Sequence, residues 1–230
     1  MSGETLSQDV EFTCPHCKAR NNATLWPRID AESAPEVMDQ LYAGTLFDHV
    51  CFHCHEPTAL DHTVLVEFAT ARTAIMNSPP SDPLAAAVDA ADSSLEDYSL
   101  RRVTDSNALR ELALVIRDGL DDAAMLLLKH MLAARVMQDR GEPPVLCNYE
   151  STMRDGDKEW LEYVMFQTEN SEPETLTVPM SVYQDVLNTV RDEKQMRFPT
   201  GQWMDWNEES AQCVWEHVQK EPASAGSRGE

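Results

Sequence analysis

Two cysteine pairs of identical spacing, short alternating apolar runs around them, and later stretches with apolar residues every three to four positions predict an α+β chain. The pairs are Cys14-Pro15-His16-Cys17 and Cys51-Phe52-His53-Cys54. The expected order begins with a zinc-ribbon-like β domain carrying one inserted helix, over residues 8–77. A linker follows over 78–98. Residues 99–220 then form a helical and α+β region, with a helical pair and a small β-hairpin and helix. A disordered tail over 221–230 ends the chain.

The cysteines come first because they constrain chemistry as well as fold. Two intervening residues let both thiolates of a tight turn reach one metal ion, and two such pairs make a tetrahedral four-thiolate set. Cys14, Cys17, Cys51 and Cys54 are therefore the expected ligands of a structural zinc ion. With four thiolates no coordination position stays open, so the site is structural rather than catalytic. Metal binding of this kind supplies folding free energy on the order of 10–16 kcal/mol in isolated zinc fingers. The 33 residues from Lys18 to Val50 exceed the roughly 15–20 of a compact ribbon, so the insert must hold structure of its own. His16, His49, His53, His55 and His62 lie near the pairs. The cysteines already complete a set, so these histidines read as turn residues or neighbours of the metal rather than ligands.

Cys-Pro-His-Cys is also the dithiol of strongly oxidising thiol-disulfide oxidoreductases. There the first cysteine opens a helix whose dipole lowers its pKa. Here Lys18-Ala19-Arg20-Asn21-Asn22 and an early Pro27 follow, which predict a turn and a strand. The redox reading stands as the alternative.

Charge bounds the partners. The 230 residues hold 18 Lys and Arg against 40 Asp and Glu, a net charge of −22. Residues 1–70 alone hold three basic and eleven acidic side chains. Binding phosphates needs a basic face, which this region lacks, so a nucleic-acid-associated ribbon stands only as a further alternative. A protein partner is expected. The start of the chain has neither a basic segment nor an apolar stretch of the kind a signal peptide needs. No run approaches the ~20 apolar residues of a membrane span. Cysteine pairs at metal spacing, in a chain that reads as not exported, fit a reducing compartment, so the expected location is cytoplasmic, with no membrane partner. Cys147 and Cys213 stand alone and read as small core residues.

The remaining elements follow in order. Val10, Phe12 and Cys14 alternate with polar residues and predict a strand into the first pair, with Ala23–Ile29 returning from it. Ser33 with Glu36 three residues on, and Pro35 between them, predicts a helix start with Ser33 as cap, and Gly44 its end. Leu46–Val50, Thr58–Ala69 and Arg72–Met76 read as strands. Ser78-Pro79-Pro80-Ser81-Asp82-Pro83 marks the linker. Leu84–Tyr98 is either weakly helical or mobile. Asp105 or Ser106 starts the first of two helices, with Leu109, Leu112, Ala113 and Ile116 as its apolar face, and Gly119 ends it. Asp121 or Asp122 starts the second, from Ala123 to Met137, apolar on nearly every side and so buried. Val145–Tyr149 and Glu159–Gln167 form a hairpin around Arg154-Asp155-Gly156-Asp157, and Thr175–Val178 a third strand. Pro179 opens a helix, and Asp205 or Asn207 a last one through His217. Trp203, Trp206 and Trp215 are expected to cluster there as packing anchors. No glycine-rich phosphate loop, serine elbow or His-Glu-x-x-His motif is present, and no residue reads as catalytic.

Glu11-Phe12-Thr13-Cys14-Pro15-His16-Cys17, with Leu46-Phe47 ahead of Cys51-Phe52-His53-Cys54, resembles the opening of the CpXC-domain proteins of bacteria and archaea. Arg101-Arg102-Val103, Asn107-Ala108-Leu109-Arg110-Glu111-Leu112 and Gly119-Leu120-Asp121-Asp122 resemble the segment that follows in longer members. Phe52 stands where the family usually has proline. The resemblance implies a four-cysteine metal site at Cys14, Cys17, Cys51 and Cys54 and implies no activity.

Overall fold

The computed structural model describes residues 4–80, 95–192 and 199–220. These residues divide into two compact units, the described residues up to Arg117 with 199–205, and those from Asp118 to Asp192 with 206–220.

The first unit is built on a six-stranded mixed sheet. Its strands are β1 (Leu6–Thr13), β2 (Arg20–Asp30), β5 (Val64–Phe68), β6 (Thr73–Asn77), β7 (Ser99–Val103) and β11 (Trp203–Asp205), hydrogen-bonded in that order. β1 and β2 form an antiparallel hairpin whose register ends at Thr13↔Arg20, leaving the first cysteine pair as its loop. β2 runs parallel to β5, and β6 antiparallel to β5. β7 and β11 join in parallel, Ile75 opposite Arg101 and Arg101 opposite Met204. β5 and β6 are buried along their whole length, which fits central strands rich in Val, Leu, Ile and Phe. Leu95, Tyr98 and Leu100 pack with Leu65, Ala74 and Met76, and Trp203 lies against them.

The insert between the cysteine pairs is largely the helix α1 (Pro35–Ala43). Val37, Met38 and Leu41 are its buried stripe, and Gly44, at φ 77°, closes its end by donating its N–H back to Leu41 and Gln40 carbonyls. Ser33 does not cap it. Ala34 holds the cap position with no side-chain bond, and the Ser33 hydroxyl turns back to the Asp30 carbonyl. A two-stranded ribbon, β3 (Asp48–Val50) and β4 (Pro57–Ala59), carries the second pair in its loop. The helix α2 (Ser106–Arg117) starts where the Asp105 carboxylate accepts the Ala108 N–H, and it packs on β6, β7 and α1.

The second unit packs α3 (Asp122–Arg140), α4 (Met180–Asp192) and α5 (Glu208–Lys220) with an antiparallel sheet of β8 (Leu146–Asp155), β9 (Lys158–Phe166) and β10 (Glu174–Pro179), in the order β10-β9-β8. Asp121 caps α3 by accepting the Ala124 N–H at 2.9 Å. Asn207 does the same for α5 through Ser210. Tyr149 and Tyr163 stack edge to face at the fully buried centre of the sheet.

The chain is thus α+β, and its two middle helices appear in the expected order, one in each unit. Trp203 packs in the first unit, while Trp206 and Trp215 belong to the second and meet Lys129 and His130. Cys147 is buried as expected, but Cys213 is exposed and is no core residue. Residues 81–94, most of the stretch left open between weak helix and mobile segment, and the tail expected to be disordered lie outside the described residues. No helix among the described residues is long and apolar enough to cross a membrane.

Candidate metal centre

Each cysteine pair sits in a hairpin loop of the same construction. In the first, Cys14 donates its N–H to the Ala19 carbonyl at 2.9 Å and accepts from the Lys18 N–H at 3.0 Å. In the second, Cys51 donates to the Glu56 carbonyl at 3.0 Å and accepts from His55 at 2.9 Å. Cys51 follows Cys14 by 37 positions, and each of these partners repeats at that offset. Both turns need a left-handed residue straight after the second cysteine. Lys18, at φ 62°, and His55, at φ 60°, fill that role without glycine.

The two loops bring the four sulfurs together. Cys14, Cys17, Cys51 and Cys54 Sγ all lie within 4.8 Å of one another. The Cys17–Cys51 pair is 3.6 Å apart and the Cys14–Cys54 pair 3.7 Å, both between loops. A regular tetrahedron of thiolates with bonds of about 2.3 Å has edges of about 3.8 Å, so the spacing fits four thiolates around one metal ion. None of the four is disulfide-bonded. Cys14 and Cys51 are fully buried, Cys54 is half-buried and Cys17 is exposed, so the cluster has one accessible side.

The backbone is aimed at Cys51. N–H groups of Cys54 and His53, the latter at 3.4 Å, face its sulfur and outweigh burial, bringing its thiol down to about 6. At Cys54 the Glu56 N–H favours the thiolate. Burial and the neighbouring Cys51, Cys17 and Cys14 sulfurs together outweigh it, and Cys54 is pushed up to about 12. Four thiols this close cannot all ionise unaided. A cation of charge two held among them would remove that conflict, so the cluster is compatible with a bound metal ion.

No histidine nitrogen belongs to the cluster among the described residues. His16 and His53 are exposed on the two loops, as expected. His62 is a structural bridge. Its Nδ1 meets the Leu60 carbonyl at 2.9 Å and its Nε2 accepts the Trp26 N–H at 3.3 Å. Burial, ahead of the nearby His62, lowers the pKa of His49.

The structure also places a residue beside the sulfurs that cysteine spacing does not reveal. Asn21 Nδ2 donates to Cys51 Sγ at 3.4 Å, and its Oδ1 accepts the Phe52 N–H at 2.8 Å. The Asn21-Asn22 pair was legible only as a turn signal. The segment after Cys17 is a turn and then β2, with no helix whose dipole could activate Cys14 as a redox nucleophile.

No curated protein matches the chain, and no solved structure does. The family model described as CpXC protein matches residues 12–129, just over half of the chain, and spans both cysteine loops, α1, the central strands and α2. Two matched knuckles that close one four-sulfur cluster, within that span, make this chain a member of the CpXC family.

Proposed function

We propose that Cys14, Cys17, Cys51 and Cys54 hold one structural zinc ion, and that the chain is a non-catalytic, metal-stapled module that docks onto another protein. The observation that carries the first part is the closed four-sulfur set, with spacing near that of a zinc–thiolate tetrahedron. Thiolates select soft or borderline ions, and four of them with no competing oxygen favour zinc among divalent metals without redox chemistry. A filled tetrahedron leaves no position for substrate or water, so the metal would shape the surface instead of reacting.

The second part rests on what the clamped loops present. Phe52 is 80% exposed and Val50 66% exposed, on either side of the buried Cys51. An aromatic held out by a rigid turn is the kind of anchor that protein interfaces use, because little side-chain entropy remains to be lost. Between Phe12 and Ile29 the chain has Lys18, Arg20 and Arg28 and no acidic residue, in a protein of net charge −22. That charge disfavours nucleic acid as the main partner. Reduced thiols at metal spacing suit a reducing compartment such as the cytoplasm.

The test is metal content measured beside free thiols, on protein purified without added metal or reductant. About one zinc per chain, with four thiols silent until a chelator is added, is the expected result. Metal-free protein that readily forms a Cys14–Cys17 disulfide would replace this reading with thiol-disulfide exchange.

A further inference from the structure

Besides the sulfurs, Asn21 also joins the two loops of the cluster. It lies on β2, four residues after Cys17, and is 8% exposed. Its amide reaches three groups. Nδ2 donates to the Ala19 carbonyl at 3.1 Å, the same carbonyl that closes the first loop by accepting from Cys14. Nδ2 also faces Cys51 Sγ at 3.4 Å, and Oδ1 accepts the Phe52 N–H at 2.8 Å. One side chain of the first hairpin thus grips both the backbone and the sulfur of the second.

We propose that Asn21 is a positioning residue of the metal centre, which sets the second loop against the first and tempers the charge on the Cys51 sulfur. This rests on the zinc reading above. A dication with four thiolates carries a net charge of about −2, and each N–H turned toward a sulfur spreads part of that charge. Cys51 is fully buried, so water cannot take over that role there. The bridge is one-sided. Thr58 stands 37 positions after Asn21, at the equivalent place in the second hairpin, and its buried hydroxyl has no hydrogen-bond partner. The backbone bonds that close each loop do not involve Asn21, so both turns can form without its amide.

The experiment uses the full chain and its Asn21→Asp and Asn21→Ala variants, each loaded with Co²⁺ alone and then titrated with Zn²⁺ against a chromogenic chelator. Asn21→Asp keeps the acceptor for Phe52 and turns an anion toward the sulfur. Asn21→Ala removes the donor without adding charge, and carries the test if the aspartate variant does not fold. Both variants are expected to keep a four-thiolate cobalt spectrum. The sulfur-to-cobalt charge-transfer band should move to longer wavelength, and zinc affinity should fall about 10–100-fold, as for other residues that orient metal ligands. Thr58→Ala, which removes an unpartnered hydroxyl, should match the native protein. Native affinity and band position in the Asn21 variants would overturn the role of Asn21 alone. A native chain that gives no four-thiolate cobalt spectrum would overturn the metal reading and this role with it.

Discussion

The residue after the second cysteine decides how easily each loop closes. Lys18 and His55 sit there in the left-handed region, which costs an L-residue roughly 1–2 kcal/mol and glycine almost nothing. Glycine returns roughly 0.5–1 kcal/mol of that through its freer unfolded chain. The two positions then part. Lys18 Nζ donates to the Pro15 carbonyl at 2.7 Å, a contact of roughly 0.5 kcal/mol at an exposed position that glycine would lose. His55→Gly should therefore raise the urea midpoint of the metal-loaded protein, while Lys18→Gly leaves it near native. A lowered midpoint for His55→Gly would mean that its ring holds the loop in some further way. Tyr183 is a second single-residue case. Its hydroxyl accepts the Asp121 N–H at 2.9 Å where α3 begins. Burial holds its pKa above the usual 10.0, with the Asp121 N–H opposing and the Asp121 carboxylate adding to the rise. The fold favours the neutral phenol, so that stability is complete below about pH 10 and is lost as pH climbs through the folded value. Tyr183→Phe should lower stability at neutral pH by about 1–2 kcal/mol through the orphaned Asp121 N–H. The gap between native and variant should narrow above pH 10, as followed by denaturant titration at several pH values.

Elements were readable where their signals are local. Gly44 was readable as the end of α1 because a left-handed C-cap is a requirement of the helix itself, and Gly141 closes α3 in the same way. Each of three helix starts was readable as one of two residues, because an N-cap side chain bonds its own first turn, and Asp105, Asp121 and Asn207 are the ones that do so. The candidate site was legible as four cysteines, because equal spacing is local too. Asn21 was not, because its partners Cys51 and Phe52 lie some thirty positions away. β7 and β11 were missed on similar grounds. β7 carries Arg101 and Arg102 and becomes a strand only by pairing in parallel with β6 and β11, the latter about a hundred residues on. The closure of β11 onto β7 hangs on one turn. Gly201, at φ 71°, donates to the Tyr98 carbonyl at 2.9 Å, and a Cβ there would stand 2.7 Å from the Glu96 carbonyl oxygen. Gly119, at φ 69°, has open space around it. Gly119→Ala should cost about 1 kcal/mol, the backbone term alone. Gly201→Ala should cost on the order of 2–3 kcal/mol, because main chain must also move. Equal thermal shifts for the two variants would show that the β11 turn gives way freely.

At the scale of the whole molecule, the question is how far the loss of metal would spread. The sequence alone suggests that residues 8–77 unfold as a block when a cysteine is replaced. The structure argues for a smaller response, because the first unit has two supports of different kinds. β5 and β6 are buried throughout and are backed by α2, so their stability comes from apolar burial. β3 and β4 have three residues each and no buried position, and a two-stranded ribbon of that size does not hold itself in water. Such a ribbon depends on whatever gathers the four sulfurs, and local opening then falls at the weak end of the unit. Chelating the metal, or Cys54→Ser, should strip hydrogen-exchange protection from the amides of Cys14, Lys18, Cys51, His55 and Leu60, whose bonds close the two loops and the ribbon. Protection should persist at residues 64–68, 73–77 and 99–103. The second unit, with its own core around Tyr149, Leu161, Tyr163 and Met165, should exchange at its native rate. Simultaneous loss across β5 and β6 would make the metal the keystone of the entire sheet. Full protection of the Cys51 and His55 amides after chelation would mean that the loops close without it, and the case for a structural ion would fail.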